Sequence, residues 1–228
     1  RYSMGQKERL TIGLVGLGSW ATRVYVPLLL ERQDVAIRAV AARTESSRAR
    51  AKEAFGSHIE VYSNYANLIA ESDVEGVMIC LPPTLTTDAV SIALEHDKHV
   101  WFEPPLEDTK DSNLMLALGQ QTDRIFHPDL EIRHLPVLQS LQETFNKTKF
   151  GSIQRVRLHL QLPANSTGVK SYLFDLSPWY IDVLDIFMEG DPTAIELRDT
   201  NKNCDSPIRE GLIKLEYGDC KSGEWDFD

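Results

Sequence analysis

The 228-residue sequence has only three cysteines, Cys80, Cys204 and Cys220, an odd number without metal-ligand spacing. Neither a disulfide framework nor a zinc site is indicated, no metal is assigned, and a reducing cytoplasm is the expected compartment. Long apolar runs are also missing. None approaches the ~20 residues that span a bilayer, and residues 1–5 lack the apolar core of a signal peptide. Basic residues are outnumbered, 24 against 34 acidic, for a net charge of -10. A field of that sign repels phosphate polymers and anionic lipid surfaces, so neither nucleic acid nor membrane is an expected partner. Repeats and low-complexity segments are absent. What is present, 42% hydrophobic and 25% charged residues, matches a globular chain long enough for one large or two small domains.

The first half alternates short β-branched apolar runs with helical patterns, the rhythm of βαβ units around a parallel sheet buried on both faces. Strands are expected over 10–15, 35–41, 60–62, 76–80 and 99–102, with helices over 20–31, 46–55, 65–70 and 87–96. The regime changes near Arg124. A helix over 135–147, an alternating strand over 153–162 and strands over 194–198, 211–216 and 223–227 read as a separate α+β domain. Between them Ser177 is expected to cap a helix with Pro178 at its first position and Gly190 after its end. The stretch 163–170, rich in small and polar residues, reads as a loop. The fold class is therefore α/β, an N-terminal Rossmann dinucleotide-binding domain over 1–123 followed by an α+β open-sheet domain over 124–228.

The strongest local signal is Gly16-Leu17-Gly18-Ser19-Trp20-Ala21, a G-x-G-x-x-A run directly after an apolar strand and directly before a helix. The first glycine permits the tight turn, the second lets backbone approach a pyrophosphate, and Ala21 lets helix and strand pack closely. The end of the second strand reads Ala41-Ala42-Arg43-Thr44, where an NAD site usually places Asp or Glu. With Arg43 beside Thr44, and no carboxylate to repel a 2′-phosphate, NADP is expected over NAD. Arg43, Arg48, Arg50 and Lys52 as a plain solvated helix face is the alternative.

Three further stretches carry a family resemblance. Residues 73–83 (DVEGVMICLPP), 96–106 (HDKHVWFEPPL) and 151–156 (GSIQRV) follow the glycine turn in an order that resembles the glucose–fructose oxidoreductase, inositol dehydrogenase and MocA (Gfo/Idh/MocA) family. The resemblance implies a Rossmann domain, an open-sheet substrate domain, and NAD(P)-dependent oxidation or reduction of a sugar, polyol or related molecule. It also brings Leu81, Pro82, Pro83, Glu103 and Pro104 to the cofactor, beside Gly16, Gly18, Ser19, Trp20, Ala21, Arg43 and Thr44.

The departures fall on the family's proton-transfer positions. Pro104 stands where the E-K-P motif has lysine, and Trp179 stands where the D-x-x-x-H pair, here beginning at Asp175, has histidine. Thr86 stands near the histidine often found after the fourth strand. None of the three exchanges protons at neutral pH. Substitute donors are Tyr180, expected in a helix's first turn where a positive dipole end favours a phenolate, and His134, in a segment that often lines the family's active site. Asp175, Tyr180 and His134 are thus the candidate catalytic residues, with a packed aromatic and an exposed histidine as the plainer readings of the last two. The family's substrate domain continues beyond 211–216, so a shortened protein or a piece of a longer one is expected. A reduced sheet leaves an apolar face that a second copy could cover, giving a homo-oligomer. Two functions remain open: an oxidoreductase with an unconventional proton donor acting on a small polar carbonyl or alcohol, or a cofactor-binding pseudoenzyme that senses or docks.

Overall fold

A computed structural model of the chain describes residues 9–106, 109–147, 151–161, 172–188, 190–199 and 211–227. Cys204 and the loop expected over 163–170 lie outside the described residues. The chain forms two compact units, Arg1–Asp129 and Leu130–Asp228.

The first unit is a six-stranded, all-parallel sheet in the order β3-β2-β1-β4-β5-β6. The strands are β1 (Leu10–Val15), β2 (Val35–Ala41), β3 (Glu60–Tyr62), β4 (Gly76–Ile79), β5 (His99–Phe102) and β6 (Phe126–Pro128). Strand order reverses between β1 and β4, and in open α/β sheets ligands bind outside the carboxyl ends of the strands at that reversal. The central strands are apolar on both faces because helices cover both. Val15, Val77, Ile79, Val100 and Phe102 belong to one core cluster, and Leu14, Ile37 and Val40 to another.

The helix expected over 20–31 is two pieces, α1 (Ser19–Arg23) and α2 (Tyr25–Glu31), joined at Val24. α3 (Glu45–Phe55) is capped by Thr44, whose side chain accepts from the Ser47 N–H, and α4 (Tyr65–Glu71) by Asn64 in the same manner. α5 (Pro83–Glu95) begins four residues earlier than its apolar pattern suggests, with Pro83 at its first position. The sequence reading missed α6 (Thr109–Gln121) and β6, and β6 lies beyond the boundary expected at residue 123.

In the second unit, a 3-10 turn (Glu131–His134) leads into α7 (Pro136–Lys147). A four-stranded mixed sheet follows in the order β7-β10-β9-β8, with β7 (Arg155–Leu160) parallel to β10 (Ser222–Phe227), and β9 (Gly211–Glu216) antiparallel to β10 and to β8 (Ala194–Asp199). α8 (Tyr172–Met188) supplies Val183, Leu184, Phe187 and Met188 to a core shared with Ile213, Leu215, Trp225 and Phe227. A Cβ added at Gly223 would come within 3.3–3.4 Å of Leu184, which measures how closely α8 lies on β10. α8 starts at Tyr172, so Ser177 is not its cap, and Pro178 lies inside the helix.

Candidate functional site

The glycine turn follows β1, and its two glycines do different work. Gly16 has φ +95°, and a Cβ built on it would lie 2.3 Å from the Cys80 carbonyl oxygen. Only glycine fits, because the chain there presses against the residue following β4 while its own N–H bonds the Ala41 carbonyl at 2.9 Å. Gly18 is extended, with φ −73° and ψ −177°, and a Cβ there would meet nothing within 4 Å. The space above Gly18 belongs to a cavity of about 520 Å³ whose lining includes Gly16, Gly18, Arg43, Thr44, Leu81 and Pro82. Ala21 is buried beneath the turn, as close helix–strand packing requires.

Arg43, Thr44 and Ser47 form one side of that cavity. Arg43 is exposed at its edge, while Arg48 is turned inward, donating through Nη1 to the carbonyls of Ala42 and Arg43 at 2.9 Å each and fixing the loop. Thr44 and Ser47 bond each other at 2.9 Å in the α3 cap. Glycines that leave backbone bare beside a cavity, an exposed guanidinium and no carboxylate at the end of β2 suit the adenosine and phosphate half of a dinucleotide. Such a cofactor, when bound, supplies hydride chemistry; Gly16 and Gly18 would admit its pyrophosphate, and Arg43 a 2′-phosphate.

Other residues stand elsewhere than the sequence suggests. Ser19 and Trp20 open a helix of only five residues, so the turn's backbone, not a long helix dipole, would face a phosphate there. The Trp20 indole donates to the Tyr25 hydroxyl at 3.1 Å. Tyr25 also bonds Glu103, placing Glu103 in a side-chain cluster rather than on the cavity lining. Pro104 follows it. Pro83 begins α5, and Thr86 is fully buried, with its hydroxyl donating to the Pro82 carbonyl at 3.2 Å. Cys80 lines the cavity, but burial, then the charges of Glu103 and Asp129, push its thiol up and keep it neutral.

In the second unit Asp175, Trp179 and Tyr180 share α8, and His134 ends the 3-10 turn, exposed to solvent. The Trp179 indole donates to Glu131 on that turn. Tyr180 stacks flat on Trp225, ring centroids 5.2 Å apart at 9°, two helical turns past the start of α8. Its phenol is pushed up by burial and then by Glu131. The expected helix-start stabilisation of a phenolate is therefore overturned, and Tyr180 packs as a core aromatic. Asp182, also on α8, is 9% exposed and forms a two-point ion pair with Arg133. Among the described residues no three His, Cys, Asp or Glu side chains gather as a metal site would need, and no helix is long and apolar enough to cross a membrane.

The profile of the Gfo/Idh/MocA family, described as an oxidoreductase family with an NAD-binding Rossmann fold, matches residues 10–130. The chain belongs to this oxidoreductase family. A dTDP-3,4-didehydro-2,6-dideoxy-alpha-D-glucose 3-reductase from Saccharopolyspora spinosa is 27% identical over 129 residues, 56% of this chain and 38% of its own length. The Streptomyces antibioticus enzyme of that name is 25% identical, over 74% of this chain and 51% of its own. The chain thus spans about half or less of these curated relatives. Among solved structures, scyllo-inositol dehydrogenase from Lactobacillus casei with bound NAD(H) and scyllo-inositol superposes with a TM-score of 0.84 at 18% identity, covering 96% of this chain and 69% of that one. A 3-ketoreductase from Actinomadura kijaniata in complex with NADP and TDP-benzene gives 0.80 at 20%, covering 96% and 70%. At such identities the structures speak for the fold alone. Within the Gfo/Idh/MocA frame, Pro104 and Trp179 remain the departures, and Trp179 is held by a hydrogen bond to Glu131.

Proposed function

We propose that this chain is the cofactor-binding part, with some of the substrate domain, of an NADP-dependent oxidoreductase that transfers hydride to or from a small polar carbonyl or alcohol of sugar type. The observation that carries the reading is the empty space above Gly18 at the strand-order reversal, rimmed by Arg43 where an acidic residue would select NAD. The curated reductases act on dTDP-linked keto sugars by name, which supports a sugar-like substrate. Cofactor contacts are assigned to Gly16, Gly18, Ser19, Ala21, Arg43, Thr44, Leu81, Pro82 and Pro83, with Trp20, Glu103 and Pro104 beyond them at the same end of the sheet. Asp175 and His134 are assigned to the substrate's polar atoms. A cytoplasmic location belongs to the same reading and is supported by three cysteines without a pairing pattern. A homo-oligomer forms through the second sheet, whose edge strand β8 leaves Ile195 and Leu197 68% and 46% exposed.

Calorimetric titration with NADPH and, separately, NADH tests the reading. Tighter binding of NADPH supports it, and binding of neither refutes it. A second reading, a cofactor-binding protein without turnover, is favoured by Pro104 and by the indole held in the histidine position. NADPH binding without hydride exchange against any keto sugar or polyol would decide for it.

A further inference from the structure

Gly18 divides the carboxyl end of the first sheet. On its β2 side lies the cavity lined by Arg43, Thr44, Leu81 and Pro82. On its β5 side stands the Trp20 indole, in the first turn of α1 and 50% exposed. The partner of the indole fixes that placement. The Tyr25 ring meets Trp101 of β5 edge-on, centroids 5.1 Å apart, and the Tyr25 hydroxyl lies 2.7 Å from Glu103 just after β5 and 2.8 Å from Asp129 just after β6. Trp20 Nε1 donates to that hydroxyl at 3.1 Å.

The indole is held at its edge and open on its faces. Its N–H is its one polar group, a donor only, and Tyr25 accepts from it. Among the described residues no aromatic ring stacks on it. A single exposed tryptophan is ordinary on a protein surface, but this one is pinned beside the glycine turn and cannot turn away. A dinucleotide lies across the strand-order reversal of such a sheet. With its adenosine half on the β2 side and its pyrophosphate at Gly18, its nicotinamide half falls on the β5 side, where the free indole face stands.

We propose that Trp20 is the platform for the nicotinamide ring, with Tyr25 as its positioning residue, and that this indole favours the oxidised cofactor over the reduced one. The inference rests on the oxidoreductase reading above. The oxidised ring carries a positive charge and the reduced ring none, and an indole face attracts a cation more strongly than any other aromatic side chain does. Trp20 thus draws the bound couple toward its oxidised form, which makes the protein a better giver of hydride than a taker. In that direction a hydrogen leaves the ring with its electron pair and forms the new C–H bond. The carbonyl π pair moves onto oxygen, and a solvent proton completes the alcohol.

Calorimetry with three probes tests this: NADP+, NADPH, and adenosine 2′,5′-bisphosphate, which lacks the nicotinamide. Trp20→Leu is expected to weaken NADP+ about three- to tenfold more than NADPH, the reach of a cation–π contact at a half-exposed site, and to leave the bisphosphate unchanged. Glu103 and Asp129 stay in place throughout, so the comparison isolates the indole. Equal losses for the two cofactors overturn the proposal. Trp20→Phe keeps a weaker ring and should fall between, and it carries the comparison should the leucine variant fail to fold. Absorption gives a readout independent of affinity. NADP+ on the wild-type protein is expected to raise a charge-transfer band between indole and charged ring that NADPH does not raise. Trp101, Trp179 and Trp225 remain in Trp20→Leu, so a band that survives there overturns the assignment. Tyr25→Phe should weaken the band, and an undiminished one overturns the positioning role. The two inferences fail separately. Binding of none of the probes removes the oxidoreductase reading and Trp20's part with it, whereas binding of all three without selective loss in Trp20→Leu removes Trp20's part alone.

Discussion

The two glycines of the turn, two residues apart, are expected to fail in opposite ways, and the difference can be worked from the structure. At Gly16 an alanine Cβ would sit 2.3 Å from the Cys80 carbonyl oxygen and 2.9 Å from its carbon, and both atoms are backbone that cannot swing aside. The residue also has φ +95°, where a side chain costs about 1–3 kcal/mol, and overpacking adds about 1–3 kcal/mol. A loss of about 4 kcal/mol would lower the melting temperature by about 8–16 °C for a chain of this size. At Gly18 the backbone is extended and its surroundings are open, so Gly18→Val should melt with the wild type, or slightly above it because the unfolded chain loses freedom. The same valine fills the space assigned to the pyrophosphate, so NADPH affinity should fall at least tenfold, about 1.4 kcal/mol. Circular dichroism melts and NADPH calorimetry on both variants make the assay. Unchanged NADPH affinity in Gly18→Val would show that the cavity is not the cofactor's seat, and a wild-type melt in Gly16→Ala would refute the contact argument.

Arg43→Ala should weaken NADPH by about ten- to a hundredfold, a charge-assisted hydrogen bond of about 1.5–3 kcal/mol, and NADH hardly at all. Equal losses for the two cofactors would show that Arg43 does not read a 2′-phosphate. Arg133→Ala leaves Asp182 buried without its partner. Because the Arg133 side chain is itself 43% exposed, the expected loss is about 2 kcal/mol, below the 3–5 of a fully buried pair, and urea unfolding measures it. Asp226 accepts from Arg157 at 2.7 Å and His159 at 2.5 Å, contacts that hold its carboxyl below the usual range. The pair's stabilisation is therefore fully present above the unfolded aspartate's value of about 4 and lost as pH falls through the lower folded value. Asp226→Asn should flatten the acid side of the stability profile, and an unaltered acid limb would contradict the assignment.

What could be read from the sequence follows the range over which each feature is encoded. β1, β2 and β5 appear within their own residues as short, mostly apolar runs, broken only by Thr11, Arg38 and His99, since a strand covered on both faces needs little else to announce it. The Gly16–Ala21 turn is likewise local, because its chemistry requires glycine at fixed spacing. α6 escaped because its apolar residues form no single buried stripe: Met115 is buried, while Leu114 and Leu116 on either side are exposed. β6 is three residues long and ends in proline, too short for an alternation to register. Ser177-Pro178 imitated a helix start, and the backbone of α8 runs through it, which removed the argument for Tyr180. The cluster at Tyr25 was invisible for a different reason. Its partners stand 78 and 104 residues away along the chain, and only the parallel order of β5 and β6 carries Glu103 and Asp129 to one hydroxyl. A motif comparison sees Glu103 beside Pro104 and records a missing lysine. The folded chain shows that the same glutamate meets a phenol that it shares with a second carboxyl, a set of neighbours that no run of consecutive residues encodes.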